Sequence, residues 1–126
     1  MAFEFQAALI VPDLKQIGLS FADHPTHQRH YLILQRDQLP VGKAASSCGL
    51  VYVERDDQQF GGYGGIESMT LTRRSLKLAV IPSMAKLMGN HDTLTITFVV
   101  DDGTFHQIDE TISRIFEGYE DRVMRS

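Results

Sequence analysis

The stretch Phe60-Gly61-Gly62-Tyr63-Gly64-Gly65-Ile66 holds four of the ten glycines in the chain. Glycine takes positive φ angles freely, so such a cluster indicates a sharp turn or backbone that lies close against a neighbour. Strand-like sequence precedes it at residues 50–54 and follows it at 66–72, and the polar residues 55–59 separate the first strand from the glycines. The pattern predicts a polar tip and a glycine-hinged return into the sheet, with Tyr63 held between two glycine pairs.

The overall composition is that of a folded domain. The 126 residues are 43% hydrophobic and 22% charged, which is typical of a single domain spanning 1–126. A net charge of −4 disfavours nucleic-acid binding, because phosphate contacts need clustered Lys and Arg. The single cysteine, Cys48, cannot form an intrachain disulfide, which suits a reducing cytoplasm. The N-terminus has no secretory pattern, and no segment approaches the roughly 20 apolar residues of a membrane helix. We therefore expect a cytoplasmic protein without nucleic-acid or membrane partners.

Alternating apolar residues predict seven strands. They are expected at residues 3–11, about 16–22, about 29–36, about 49–54, 66–72, 75–81 and 93–100. The third strand is apolar on both faces, so we expect it inside the sheet and not at an edge. Residues 37–47, with Pro40 and Gly42, are interpreted as a loop.

Two helices complete the predicted fold. Pro82 opens a short helix over residues 83–88, and a longer one at about 104–118 carries an apolar stripe behind a cap at Asp101-Asp102. The tail at 120–126 is expected to fray. The elements predict an α+β fold in which one short helix and one longer C-terminal helix pack on a sheet. That sheet is expected to be mostly antiparallel, curved and built from about six to seven strands.

Three candidate chemical sites each have a structural alternative. His24, His27 and His30 could hold zinc if their loop folded inward, but a proline interrupts any helix that would align them, and a solvated loop is the alternative. The glycines at 61–65 lack the helix and the lysine of a phosphate loop, and a structural turn that presents Tyr63 is the alternative. Cys48 has no histidine partner that the sequence can place, and a small buried or half-buried residue is the alternative. We therefore predict no catalytic residue, no metal and no cofactor.

Acidic and tyrosine side chains gather around the glycine stretch. The candidate partner contacts are Glu54, Asp56, Asp57, Tyr63 and Glu67. Tyrosine is enriched among the residues that anchor protein interfaces, and acids on a loop beside it suit a protein-binding surface. The alternative for this acidic patch is an ordinary solvated turn.

A series of motifs in a fixed order resembles a known family. The motifs are Tyr31-Leu32-Ile33-Leu34-Gln35-Arg36, Gly49-Leu50-Val51-Tyr52-Val53-Glu54 and Gly62-Tyr63-Gly64-Gly65-Ile66-Glu67. Over about residues 3–118 the chain resembles the tenth family of immunity proteins from bacterial polymorphic toxin systems. The resemblance implies a small cytoplasmic α+β protein that is made beside a toxin and neutralises it by binding. It implies no catalysis and no cofactor, and it supplies no toxin-contact residue.

Two other functions remain open at this point. A small-ligand-binding protein or enzyme would have a pocket near the Gly61–Gly65 loop, with His30 or His106 beside it. A thermal-shift screen against metals, nucleotides and metabolites would detect such a ligand. A homodimer would pair through an exposed strand edge, and light scattering would detect it.

Overall fold

The computed structural model describes residues 2–37 and 50–126. Within them the strands are β1 Ala2–Gln6, β2 Leu9–Asp13, β3 Gly18–Ala22, β4 Tyr31–Arg36, β5 Val51–Arg55, β6 Asp57–Tyr63, β7 Ile66–Leu71, β8 Ser75–Val80, β9 Thr93–Thr97 and β10 Val123–Arg125. The helices are α1 Pro82–Leu87 and α2 Asp102–Ile115, followed by a 3-10 turn at Glu120–Arg122. Cys48 and all of the predicted 37–47 loop except Asp37 lie outside the described residues.

The strands form two sheets, which corrects the prediction of one curved sheet of six to seven strands. The meander sheet has the order β2-β3-β4-β5-β6 and is antiparallel throughout. The mixed sheet has the order β1-β9-β8-β7-β10, in which β1 runs parallel to β9 and β10 runs parallel to β7. The α+β class, the short helix and the longer helix agree with the prediction. The third predicted strand, now β4, lies at the centre of its sheet as expected.

The predicted first strand, 3–11, is two strands that belong to different sheets. The amide of Ala7 donates to Thr97 O at 2.7 Å in the mixed sheet, whereas the next amide, of Ala8, donates to Ala22 O at 2.8 Å in the meander sheet. The chain therefore changes sheets between two consecutive residues. Pro12 does not end β2, because β2 is an edge strand and such strands tolerate a missing amide hydrogen.

The glycine stretch begins within a strand, because residues 60–63 end β6. The predicted glycine-hinged return follows at Gly64, whose φ of 71° is left-handed, and at Gly65, before β7 begins at Ile66. The earlier reversal, between β5 and β6, is confined to Asp56, whose φ of 63° is left-handed, next to a bulge between Glu54 and Arg55. Residues 57–63 then pair with β5, so that Gly61 lies opposite Glu54 and Tyr63 opposite Tyr52. The predicted polar tip at 55–59 is wrong because a single left-handed aspartate suffices for the turn.

The C-terminal tail is also more ordered than predicted. Val123–Arg125 extends the mixed sheet as β10, and the Arg125 guanidinium holds Asp109 of α2 at 2.6 Å. The predicted cap of the long helix is confirmed, because Asp101 Oδ1 accepts the amide of Thr104 at 2.7 Å. Strand β9 ends at Thr97, three residues before the predicted end.

The core lies between the sheets and α2. Along β3, β4 and β5 every second residue is fully buried on the inner face: Leu19, Phe21, Leu32, Leu34, Val51 and Val53. Helix α2 packs against β2, β3 and β4 and adds the buried Ile108, Ile112 and Ile115 to the same cluster. With period-2 alternation, the remaining residues of the meander sheet lie on the opposite, outer face.

Helix α1 packs against β6 and closely approaches Gly65 in the connection between β6 and β7. A Cβ atom at Gly65 would lie 2.6 Å from Met84 Cβ and 2.2 Å from Met84 Cε. Met84 is buried in the core cluster, so any side chain at position 65 would push α1 away from the sheet. This contact explains one of the glycines that the sequence clusters here.

Candidate partner-binding face

The outer face of the meander sheet carries aromatic and apolar side chains where a solvent-facing sheet usually presents polar ones. Seven side chains define what we call the tyrosine face: Leu9, Val11, Tyr31, Ile33, Tyr52, Glu54 and Tyr63. Leu9 and Val11 on the edge strand β2 are 38% and 47% exposed, and Tyr63 on the opposite edge strand is 56% exposed, whereas the side chains between them are half-buried or buried. Exposed apolar surface of this kind often indicates an interaction site.

Glu54 lies at the centre of the tyrosine face. The Tyr31 hydroxyl donates to Glu54 Oε2 at 2.6 Å, and the Tyr52 hydroxyl donates to Oε1 at 2.5 Å. The strand register explains this convergence. Glu54 lies opposite Ile33 on β4, which places Tyr31 on the adjacent diagonal, and Tyr52 is two residues away on the same face of β5. The carboxylate is only 7% exposed beneath the two tyrosines.

The three tyrosines of this face are held in the protonated form. Burial and the hydrogen bond to Glu54 raise the pKa of Tyr52 to about 12. The same causes, in the same order, raise the pKa of Tyr31 further above its usual range. A hydrogen bond to Asp37 raises the pKa of Tyr63. The hydroxyls of Tyr31 and Tyr52 therefore remain protonated donors to Glu54 to a higher pH than a free tyrosine would.

Gly61 makes the central cluster possible. A Cβ atom at this position would lie 2.7 Å from the Tyr52 hydroxyl and 3.1 Å from Glu54 Cβ. The absence of a side chain lets Tyr52 lie over β6 while its hydroxyl reaches Glu54. The Tyr52 and Tyr63 rings are then neighbours, with centroids 5.1 Å apart and planes inclined by 54°.

Two shallow depressions flank the cluster. One, of about 280 Å³, lies over β2 to β4, and its lining includes Leu9, Val11, Tyr31 and Ile33. The other, of about 300 Å³, lies beside Tyr63, where its lining is more polar and includes Gln35 and Asp37. Both are partly open to solvent on the outer side of the sheet, so a side chain of a protein partner can enter them.

The five predicted contacts do not form one patch. Glu54 and Tyr63 lie on the tyrosine face, and Asp57 is exposed at the start of β6. Asp56 is engaged inside the protein, because Oδ1 accepts the amide of Tyr31 at 2.9 Å and Oδ2 lies 2.9 Å from His30 Nδ1. Glu67 is exposed on β7, in the other sheet.

Behind the tyrosine face, Arg55 anchors the turn from the inner side. Its guanidinium lies between two aromatic rings, 4.7 Å from the Phe3 centroid and 4.3 Å from the Phe60 centroid. Nη1 donates to Asp56 Oδ2 at 3.0 Å, and Nη2 donates to Met88 O at 2.6 Å. Arg55 is 8% exposed, so this residue of the predicted polar tip is a buried structural cation.

The family of this chain is identified by comparison with models of known protein families. A family model described as Immunity protein 10 matches residues 6–106 of the 126. The chain belongs to the immunity protein 10 family. The matched range contains every strand of the meander sheet and therefore the whole tyrosine face. Searches of curated proteins and of solved structures returned no match.

The rings of His24 and His27 in this immunity protein are neighbours, with centroids 5.5 Å apart, but the other histidines lie elsewhere. His24 Nδ1 accepts the amides of Thr26 and His27, which shapes the loop before β4, whereas His30 pairs with Asp56. His106 is 79% exposed on α2, where it faces Glu110 at 3.8 Å. Among residues 2–37 and 50–126, no three His, Cys, Asp or Glu side chains are arranged as a metal site. None of the helices that the structure describes has the length and apolarity needed to span a membrane.

Sequence reasoning missed most of the apolar part of this immunity protein's tyrosine face. The sequence predicts Leu9 and Val11 as part of one long strand, and it predicts the strand that carries Tyr31 and Ile33 inside a sheet. The second apolar face of β4 is the feature from which this surface can be predicted. That face indicates burial, and a protein partner can bury it as well as this chain's own residues can.

Proposed function

We propose that this protein is an immunity protein that neutralises a cognate protein toxin by one-to-one binding, in the cytoplasm of the cell that makes both. The observation that carries the proposal is the tyrosine face on a chain of the immunity protein 10 family. The family supplies the class of partner, and the open apolar face supplies a surface for it. No catalysis is needed, because a stoichiometric inhibitor acts by occupying its target.

The composition of the face supports a protein partner. Tyrosine offers a large contact area with few rotatable bonds, and it is enriched among residues that dominate interface energies. Tyr63 is the most exposed of the three tyrosines, and its hydroxyl is oriented by Asp37. Leu9 and Val11, on the opposite edge strand β2, add exposed apolar area to the same face.

The proposed contact set differs from the one that the sequence suggested. Tyr63 and Glu54 remain at its centre, and Asp57 remains at its border. Asp56 is assigned a structural role instead, because its carboxylate already binds the amide of Tyr31, His30 and Arg55. Glu67 is left out because it lies on the mixed sheet.

The proposal is tested by capture of a partner from the source cells. Tagged protein would be purified from cells that express the neighbouring genes, and the retained proteins identified by mass spectrometry. We expect one toxin-like polypeptide at a ratio of about 1:1, and co-expression should protect cells from that toxin. Failure to bind or protect against the toxin domain encoded beside this gene would refute the proposed function.

A matched pair of variants tests the surface. Tyr63→Ala should weaken the complex by at least about 1–2 kcal/mol, because it removes a central aromatic contact. Val99→Ala is the control, since Val99 is 80% exposed and lies outside the tyrosine face. Equal affinities of the two variants, with unchanged circular dichroism, would remove Tyr63 from the interface.

A further inference from the structure

The central carboxylate of the tyrosine face is buried without a counter-ion in the part of the chain that the structure describes. Its two hydrogen-bond donors, Tyr31 and Tyr52, are neutral hydroxyls. The cation next to it in sequence, Arg55, lies on the opposite face of β5 and is bound to Asp56 and Met88. Buried charges are normally paired, since removing an ion from water is costly. Glu54 therefore has an electrostatic requirement that a partner can meet.

The carboxylate retains the capacity to accept further hydrogen bonds. Each carboxylate oxygen can accept two hydrogen bonds, and a tyrosine hydroxyl provides one to each oxygen of Glu54. The hydroxyls also fix the carboxylate in one orientation, just beneath the surface of the tyrosine face. A bidentate donor from outside would meet two positioned acceptors, at little cost in side-chain entropy.

The rings around Glu54 suit a cation as well. Tyr52 and Tyr63 lie 5.1 Å apart with inclined planes, and the electron-rich faces of such rings attract guanidinium and ammonium groups. The same molecule uses this chemistry on its inner face. There, Arg55 lies between Phe3 and Phe60 and pairs with a carboxylate.

We infer that Glu54, with the rings of Tyr31, Tyr52 and Tyr63, is the receptor for a cationic side chain that the toxin inserts into the tyrosine face. Arginine fits better than lysine, because its planar fork can contact both carboxylate oxygens and stack on a tyrosine ring. This inference rests on the proposed function for its partner. Its chemistry, a carboxylate enclosed by aromatic rings that binds a guanidinium, can be tested without the toxin.

The first experiment uses the peptides acetyl-Gly-Arg-Gly-amide and acetyl-Gly-citrulline-Gly-amide as probes of the wild-type protein. Citrulline has nearly the shape of arginine but no charge. We expect the arginine peptide to produce saturable shifts of the Tyr31, Tyr52 and Tyr63 ring signals in NMR spectra, and the citrulline peptide to produce little change. Equal shifts with both peptides, or none with either, would overturn the inference, whether or not the protein neutralises a toxin.

The second experiment measures affinity for the toxin domain encoded beside this gene. Glu54→Gln should weaken binding at least about 30-fold, because it leaves the inserted cation without its partner. Glu67→Gln is the matched control, with the same charge change on the mixed sheet, and should bind as the wild type does. A complex unaffected by Glu54→Gln would refute the receptor but leave the immunity function standing, whereas the absence of any wild-type complex would refute the function itself.

Discussion

A single methyl group added at Gly65 tests how closely α1 packs against the connection between β6 and β7. In Gly65→Ala the new Cβ atom would lie 2.6 Å from Met84 Cβ and Cγ and 2.2 Å from Met84 Cε. Met84 Cε can rotate away, but its Cβ is fixed to the helix backbone. Carbon atoms pack at about 3.5–4.0 Å, so α1 would have to move by about 1 Å.

The cost follows from this displacement. Overpacking a core contact typically costs about 1–3 kcal/mol, and a shift of a whole helix belongs near the upper end of that range. Alanine restricts the unfolded chain more than glycine does, and this effect alone raises the free energy of unfolding by about 0.4–1 kcal/mol. We therefore expect Gly65→Ala to lower the free energy of unfolding by about 2 kcal/mol.

Urea unfolding followed by far-UV circular dichroism measures this change, because the chain has no tryptophan to report it. Gly103→Ala is the control, since its Cβ atom would lie at an ordinary 3.7 Å from Asp101 Oδ1 in the first turn of α2. We expect that variant to be unchanged or stabilised by up to about 1 kcal/mol. A Gly65→Ala protein within about 0.5 kcal/mol of the wild type would refute the proposed seating.

Three further predictions concern Gly89, which follows α1, and the tyrosine face. Gly89→Ala should lower the free energy of unfolding by at least about 1–2 kcal/mol, because φ is +79° and the new Cβ would lie 2.7 Å from Arg55 Nη2; an unchanged urea midpoint would contradict this. Gly61→Ala should displace the Tyr52 hydroxyl from Glu54 and lower the pKa of Tyr52 toward its usual 10, as measured by NMR of the labelled ring; a pKa that stays near 12 would contradict it. In the wild type, the free energy of unfolding should fall as the pH rises from about 10 to about 12, because the unfolded chain loses the Tyr52 proton at a lower pH than the folded protein does. A free energy of unfolding that is constant in this range would show that folding does not raise the pKa of Tyr52.

Period-2 alternation was sufficient to predict which side of several strands faces the core. In the predicted strands 75–81 and 93–100, the alternating residues Leu76, Leu78, Val80, Leu94 and Ile96 are all buried, as such alternation predicts. The hairpin of β7 and β8 and the cap of α2 were also predictable. These features depend on local alternation, turn length and capping chemistry, all of which are determined by residues close together in the sequence.

The division into two sheets was not predictable in the same way. It depends on the amides of Ala7 and Ala8 donating to carbonyls in different sheets. The parallel pairings of β1 with β9 and of β10 with β7 join segments that are far apart in sequence. Hydrophobic periodicity gives the facing of a strand but not the identity of its neighbours, so the sheet was predicted as one.

The candidate site shows the same limit. Tyr63 and Glu54 were predicted as contacts, because aromatic and acidic residues beside glycines suggest an interface. The role of Tyr31 depends on the β4–β5 register, which places it diagonally across from Glu54. The sequence predicts Arg55 in a polar tip and Asp56 as a partner contact, whereas the rings of Phe3 and Phe60 bury Arg55, and its ion pair with Asp56 holds that carboxylate half-buried.

The central claim is that a toxin binds the tyrosine face, and methyl NMR of the complex tests it most directly. The labelled protein would be titrated with the toxin domain encoded beside its gene. The methyl signals of Leu9, Val11 and Ile33 should shift or broaden, and those of Val99 and Met124, which are exposed elsewhere, should not. Perturbation of Val99 and Met124, with the signals of the tyrosine face unchanged, would contradict the account.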